Sequence, residues 1–199
     1  CPEICYSLKD LGLMVSTGPV IDFRVKQHLR QMPETGTAPL LYPGHFSSSG
    51  AQWPKAGKKP NAILRHPETE KWLYPNGFYC IVRRFSAKEE KRRVVANVVD
   101  PVMFGNTSMI GFENHLNLFH ENKHGLSESL ARGLTVFLNT TVVDEHFRRF
   151  NGHTQVNATD LKSIKYPSRE ILIAMGEWAR EQSELTQKMI DDHFGMVIN

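Results

Sequence analysis

The sequence predicts an α+β domain in which a curved, mostly antiparallel sheet is backed by C-terminal helices. Three observations carry this expectation. Before Gly125 the chain carries several strand-like runs of β-branched and aromatic residues. Breaks containing Gly, Pro and Asn separate them. Beyond Gly125 the apolar residues change to a helical period.

Ser7 to Gly12 reads as a short helix capped by Ser7. MVSTGPVIDF is then strand-like, with a turn expected at Gly18-Pro19. Ala38 to Phe46 is another short strand, leading into a loop rich in Ser, Gly, Lys and Pro that continues to Pro60 and is expected to be polar, basic and mobile. From Trp72, WLYPNGFYCIVRRF places aromatic and β-branched residues on either side of Pro75-Asn76-Gly77, the chemistry of a tight hairpin. Arg92 to Pro101 contains four valines and reads as a strand stopped by Asp100-Pro101. Ser86 to Glu89 also matches a capping box, so a helix running into Val94 competes, and the valines favour the strand. Met109 to Phe119 is a further strand candidate, with imperfect alternation at Ile110, Phe112, Leu116 and Leu118. After Gly125, Leu126, Leu130, Leu134, Phe137 and Leu138 fall on one helix face behind Ser127 as cap. Asn139 to Thr141 interrupts that stripe before Val143, Phe147 and Phe150 resume it, which predicts two consecutive helices or one kinked helix closed by Gly152. A final helix from Ser168 carries Ile171, Leu172, Met175, Trp178, Leu185 and Met189. No internal repeat emerges.

A chain of 199 residues fits one domain, 1–199, in which 168–199 is a C-terminal helical segment; two equal domains are also compatible with the length. The composition, 40% hydrophobic and 23% charged, is that of a soluble globular protein, and no apolar run approaches the roughly 20 residues needed to span a bilayer. A start at Cys1 rather than Met is expected of a piece of a longer enzyme. Cys1, Cys5 and Cys80 cannot all pair and lack the spacing of a structural zinc site, so a reducing, cytoplasmic setting is expected. The net charge of +3 conceals an asymmetry: Ser47 to Arg93 holds eleven Lys or Arg against four Glu, a net +7, which leaves −4 elsewhere. Concentrated positive charge suits phosphate binding, because neutralising phosphates releases condensed counterions. A solvated face of Lys and Arg accounts for the same charge equally well.

Several segments match one family in order: VSTGPVIDFR (Val15 to Arg24), LLYPGHF (Leu40 to Phe46), PNGFYCIVRRFS (Pro75 to Ser86), IGFENHLNLFH (Ile110 to His120), LARGLTVFLNTTVVDEHFRRFNGHTQVNATDL (Leu130 to Leu161) and YPSRE (Tyr166 to Glu170). Together they resemble the C-terminal target-recognition region of type II adenine-specific DNA methyltransferases of restriction-modification systems, of the Eco57I-like and TaqI-like kind. The likeness covers about residues 10 to 170 and is most specific at HTQVNATDL, His153 to Leu161. It implies a parent enzyme that transfers a methyl group from S-adenosylmethionine to the N6 amine of an adenine rotated out of the duplex. This chain has no F-x-G-x-G cofactor motif and no Asn-Pro-Pro-Tyr or Asp-Pro-Pro-Tyr tetrapeptide; the nearest string, Asp100-Pro101-Val102, lacks the second proline and the ring. The expectation is a piece that binds double-stranded DNA and holds neither catalytic residues nor cofactor, with a catalytic methyltransferase domain of the same parent chain as partner.

Lys55, Lys58, Lys59, Arg65 and Lys71 lie in or beside the basic loop, where they can follow phosphates, while Gln52 and Asn61 can hydrogen-bond adenine edges. Arg83 and Arg84 sit at a strand end where alternation exposes at least one, and an exposed arginine can contact guanine or simply be solvated. Arg92 and Arg93 are weaker candidates of the same kind. Thr154 and Gln155 belong to a polar loop whose side chains either contact DNA or cap the turn at Asp160 to Ile164. Trp53 and Trp72 can stack on bases or pack internally. His115, His120 and His124 have no carboxylate or cysteine at a recognised metal spacing, so no metal site is expected. Glu89-Glu90-Lys91 fits half of a nuclease signature without a well-placed upstream Asp. Two readings besides DNA recognition stand: a module that docks on a methyltransferase or nuclease subunit, marked by a large exposed apolar patch, and a restriction nuclease, marked by converging acids.

Overall fold

A computed structural model describes residues 3–86, 89–152 and 154–199. In chain order the strands are β1 (Ile4–Tyr6), β2 (Met14–Thr17), β3 (Leu29–Arg30), β4 (Thr37–Leu41), β5 (Phe46–Ser47), β6 (Gly50–Ala51), β7 (Ala62–Leu64), β8 (Tyr74–Pro75), β9 (Tyr79–Arg83), β10 (Ala96–Val99), β11 (Met109–Phe112), β12 (Leu116–His120) and β13 (Tyr166–Pro167). The helices are α1 (Pro67–Glu70), α2 (Glu128–Leu138), α3 (Thr141–Phe150), α4 (Ala158–Ser163), α5 (Arg169–Glu181) and α6 (Gln187–Val197).

The α+β class stands, and the expected sheet is two main sheets with two separate strand pairs, β1 with β13 and β5 with β6, among the described residues. β10, β9, β12 and β2 form, in that order, a fully antiparallel sheet. The second sheet runs β3, β7, β4, β11, β8; β4 and β11 are parallel and its other pairs antiparallel. Alternation along β9 and β12 sends side chains in both directions. Cys80, Val82 and Phe119 enter the core shared with the helices, whereas Tyr79, Ile81, Leu116 and Leu118 pack against Leu41, Tyr74, Ile110 and Phe112 of the second sheet. A third cluster, with Val20, Val25, Leu40, Ile63 and Leu73, closes the far side of the second sheet. The order of layers is helices, first sheet, second sheet.

The helix layer follows from its caps and from two glycines. Ser127, Thr140 and Ser168 each accept a backbone N–H at the start of α2, α3 and α5, satisfying donors that the first turn leaves open. α2 and α5 meet backbone to backbone: a Cβ on Gly133 would lie 1.7 Å from the Leu172 carbonyl oxygen, and one on Gly176 1.7 Å from that of Ser129. The corner between α2 and α3 seals the open edge of the first sheet. Asn139 acts as a substitute strand, its Oδ1 accepting from Ala96 N–H and its Nδ2 donating to Ala96 O, both at 3.0 Å. Asp144 Oδ1 accepts the Arg93 N–H at 2.6 Å, and Arg148 Nε donates to its other oxygen at 2.9 Å. Burial pushes the Asp144 carboxyl up, and the hydrogen bonds from Arg148 and Arg93 with the nearby Arg92 charge outweigh it, so the group is held below the ordinary carboxylate range.

Four local expectations need correction, and one competing option is not met. Ser7 to Gly12 is a turn closed reciprocally by Ser7 and Asp10 rather than a helix. Pro75-Asn76-Gly77 is a crossover between sheets: β8 pairs with β11 and β9 with β10 and β12, while Asn76 Nδ2 donates to Pro101 O and Thr107 O. Met109 to Phe119 divides into β11 and β12 at Glu113-Asn114-His115, one strand for each sheet. The final helix is two, α5 and α6, broken at 182–186. The Ser86 to Glu89 capping box falls partly on Ala87 and Lys88, outside the described residues, and 89–95 is not helical. No helix among the described residues is long and apolar enough to cross a membrane.

Three imidazoles lose solvent in this architecture: His45 and His120 are buried, and His193 is half-buried. His120 bonds Ser16 Oγ at 2.8 Å, His45 bonds Asn61 Oδ1 at 2.7 Å, and His193 stacks on Trp178 at a 3.8 Å centroid distance with neither ring nitrogen hydrogen-bonded. Burial lowers all three pKa values below the ordinary imidazole value of about 6.5. The unfolded chain therefore binds more protons than the folded one, and stability falls as pH drops below about 6.5. Thermal midpoints should be level above about pH 7.5 and decline between about pH 7 and 5, with His193→Phe flattening part of that slope; a profile flat to pH 5 contradicts this assignment. Gly133→Ala and Gly176→Ala should each destabilise by about 3 kcal/mol or more in urea melts, because only backbone stands in the way. Gly195→Ala in α6, where a Cβ meets nothing within 4 Å, should instead stabilise by about 0.5–1 kcal/mol.

Candidate nucleic-acid interface

The basic loop between β6 and β7 is held by one amide. Asn61 is 1% exposed, and its side chain reaches four groups: Oδ1 accepts from His45 Nε2 at 2.7 Å and Lys55 N–H at 2.9 Å, and Nδ2 donates to Gln31 O and Lys55 O, each at 2.8 Å. Its carbonyl accepts from Trp53 Nε1 at 2.8 Å, and Trp53 packs edge-on against Phe104 at 5.1 Å. Asn61 is thus internal, against the expectation that it can reach adenine edges, since a buried amide must spend its hydrogen bonds inside the fold, and the half-buried Trp53 takes the packing alternative. The loop they anchor leaves Gln52, Lys55, Lys58 and Lys59 exposed.

Those lysines border a trough that follows one end of the second sheet. One stretch is walled by Asp22, Phe23, Lys26, Lys58 and Lys59, the next by Tyr42, Gly44, Lys55, Lys58 and Lys59, and the last by Tyr42, Lys59, Arg83, Phe85, Glu113 and His115. Shared residues make the three neighbours: Lys58 and Lys59 line the first two, and Tyr42 and Lys59 the last two. Five cations face two carboxylates, and both carboxylates are engaged. Lys59 Nζ binds Asp22 at 3.2 Å while standing 5.3 Å over the Tyr42 ring; burial raises the Asp22 pKa, but the bond and charge of Lys59 dominate and lower it. Glu113, 1% exposed, accepts from the His115 ring and its N–H. Arg83 reaches Phe46 O with Nη2 at 3.2 Å, and its Nε has no partner.

At the trough's end the fold joins two segments that are far apart in sequence. Ser86 N–H donates to Thr154 O and Val156 N–H to Arg84 O, so that Phe85 and Gln155 form an antiparallel bridge. Asn117 Nδ2 holds Val156 O at 2.7 Å, and Asp160 Oδ2 accepts Asn157 N–H at 2.8 Å to start α4. Thr154 is exposed and Gln155 half-buried beside Phe85, which is 41% exposed. Arg84 is drawn to Asn114 Oδ1 at 2.7 Å and lies 5.4 Å from the Phe85 ring centre. His153 lies outside the described residues.

The remaining candidates stand elsewhere. Arg65 follows the opposite end of β7, paired with Glu70 at 2.8 Å and bonded to Ser108. Lys71 is beside Trp72 at that end, 5.2 Å from the ring centre. Arg92 and Arg93 are structural: Arg92 bonds Gln187 and Thr140 O, and Arg93, 1% exposed, bonds Ser86. Each ties the segment before β10 to its surroundings, which is why charge counting overstated the free cations. His120 and Cys80 are interior; burial pushes the Cys80 thiol up to about 12. Cys1 is outside the described residues. Sequence reasoning missed Lys26, Phe23, Tyr42, Phe85 and His115 as trough residues. Lys26 and Phe23 carried a weak signal, an exposed aromatic among cations, but only folding brings them to Lys58.

No family model matches the chain. Among curated proteins, it is 58% identical over 183 residues to the type II methyltransferase M.BsuBI of Bacillus subtilis, an alignment covering 92% of this chain and 36% of that protein. It is 48% identical over 167 residues to the type II methyltransferase M.PstI of Providencia stuartii, covering 83% of this chain and 33% of that one. Among solved structures, a chain from a study of complex assembly and conformational transition in the type I R-M system aligns with a TM-score of 0.46 and 11% identity over 96% of this chain and 42% of that one, a likeness too low to carry an argument. Over most of its length, then, this chain is similar to a portion amounting to about a third of two type II methyltransferases.

Proposed function

We propose that this chain is the DNA sequence-recognition unit of an adenine-specific (N6) methyltransferase of a restriction-modification system, and that it works with a catalytic domain lying outside these 199 residues. The observation that carries the reading is the gathering of Lys26, Lys55, Lys58, Lys59 and Arg83 along one trough with few competing acids. The spacing of duplex charge, about one per 1.7 Å of axis, rewards such a line of cations through counterion release. Gln52, Thr154 and Gln155, on exposed loops at its margins, are the side chains available to read base edges, with Arg84 beside Phe85 as a guanine-reading candidate. Arg65 and Lys71, at the other end of β7, can meet only a duplex long enough to pass both ends. Methyl transfer, with S-adenosylmethionine, belongs to the catalytic domain, because the cofactor and adenine-orienting motifs are missing from this sequence. Similarity to M.BsuBI and M.PstI supports the methyltransferase context.

A second reading has an observation of its own. Val142, 53% exposed, lines a groove on α3 with Ile4, Phe137, Val143 and Ile164, a surface suited to docking on another methyltransferase or nuclease subunit.

Fluorescence anisotropy with a labelled duplex tests the first reading. Affinity should fall with salt, and Lys55→Gln, Lys58→Gln and Lys59→Gln together should reduce the slope of log K against log salt by about 2 to 3. Arg92→Gln should lower the thermal midpoint more than the affinity of the folded fraction. Salt-independent binding, or a triple variant that binds like the parent, refutes the trough as a phosphate track and leaves the α3 surface as the leading alternative.

A further inference from the structure

Away from the trough, three side chains of metal-binding type converge where the 3-10 turn Lys26–His28 meets α1. His28 Nε2 lies 3.0 Å from Glu68 Oε2, the His28 and His66 rings are 4.9 Å apart at their centroids, and one donor atom from each residue lies within 4.8 Å of the others. We propose that His28, His66 and Glu68 bind a single divalent transition-metal ion, zinc foremost.

The donor set is two imidazoles and one carboxylate, which suits zinc and leaves a fourth position for water. Zinc bonds of about 2.0–2.2 Å place tetrahedral ligands about 3.3 Å apart, so the pair at 3.0 Å is already close to the required separation and the third donor must move by about an ångström or more. The movement is available, because His66 and Glu68 are exposed while His28 is buried and fixed. Backbone geometry presents the two mobile ligands together: His66 is the N-cap of α1, Pro67 starts the helix and Glu68 follows on the same turn. His66 Nδ1 accepts the Glu68 N–H at 3.1 Å, so coordination through Nδ1 exchanges that cap for a metal bond and coordination through Nε2 keeps it. The ion would tie the segment bearing Phe23 and Lys26 to α1 and through it to β7, a structural clip. The inference stands whether or not the chain reads DNA.

The test is calorimetric titration of Zn²⁺ into chelator-treated chain with Cys1 and Cys5 changed to Ser, followed by thermal melts with and without the ion. One zinc per chain and a rise in midpoint are expected. Glu68→Ala and His66→Ala, at exposed positions that should leave the fold intact by circular dichroism, should each weaken binding by about tenfold or more, and His124→Ala should not change it. No heat and no midpoint shift at about 0.1 mM Zn²⁺, or parent-like affinity in either variant, overturns the site.

Discussion

Burial of β9 and β12 on both faces is the constraint from which the rest of this structure follows. A strand covered on one side can expose every second residue, but Tyr79 to Val82 and Leu116 to His120 expose almost nothing. Each must supply one set of side chains to the helices and another to the second sheet, and every polar group it carries must find a partner inside. Asn117 does so through Thr17 and Val156, and His120 through Ser16.

The same demand sets the edges. Beside β10, Asn139 and Asp144 side chains take the place of a neighbouring strand, and Arg92 links Thr140 to Gln187. These contacts draw α3 and α6 onto the sheet. They also withdraw two arginines and a carboxylate from the surface, so net charge in the sequence is a poor measure of potential on the molecule. Close approach of α2 to α5, possible because Gly133 and Gly176 have no side chain, completes the layer.

The trough lies where the second sheet ends. β4 runs out into Tyr42, β7 begins after Asn61, and the parallel β4–β11 pair brings Glu113 and His115 to the same end. Asn61 ties the start of the loop of Lys55 to Lys59 to the fold, since its buried amide accepts the Lys55 N–H and donates to Lys55 O while also holding His45 and Gln31. At its far end, the Phe85 and Gln155 bridge fastens the segment after α3 to the extension of β9.

Order of residues alone was enough for the α+β class, the caps Ser127 and Ser168, the break between α2 and α3, the strand character of the valine-rich stretch, and the presence of exposed lysines at 55, 58 and 59. These depend on neighbours within a few positions, and local chemistry is what a string of residues displays. Folding alone decided that Pro75-Asn76-Gly77 is a passage between sheets, that Met109 to Phe119 is two strands, that Asn61 is buried, and that Arg92 and Arg93 are spent internally while Lys26 joins Lys58. The physical reason is common to all of them: a turn sequence or a charge has no inherent partner, and which partner it takes is fixed by the burial of segments tens of residues away.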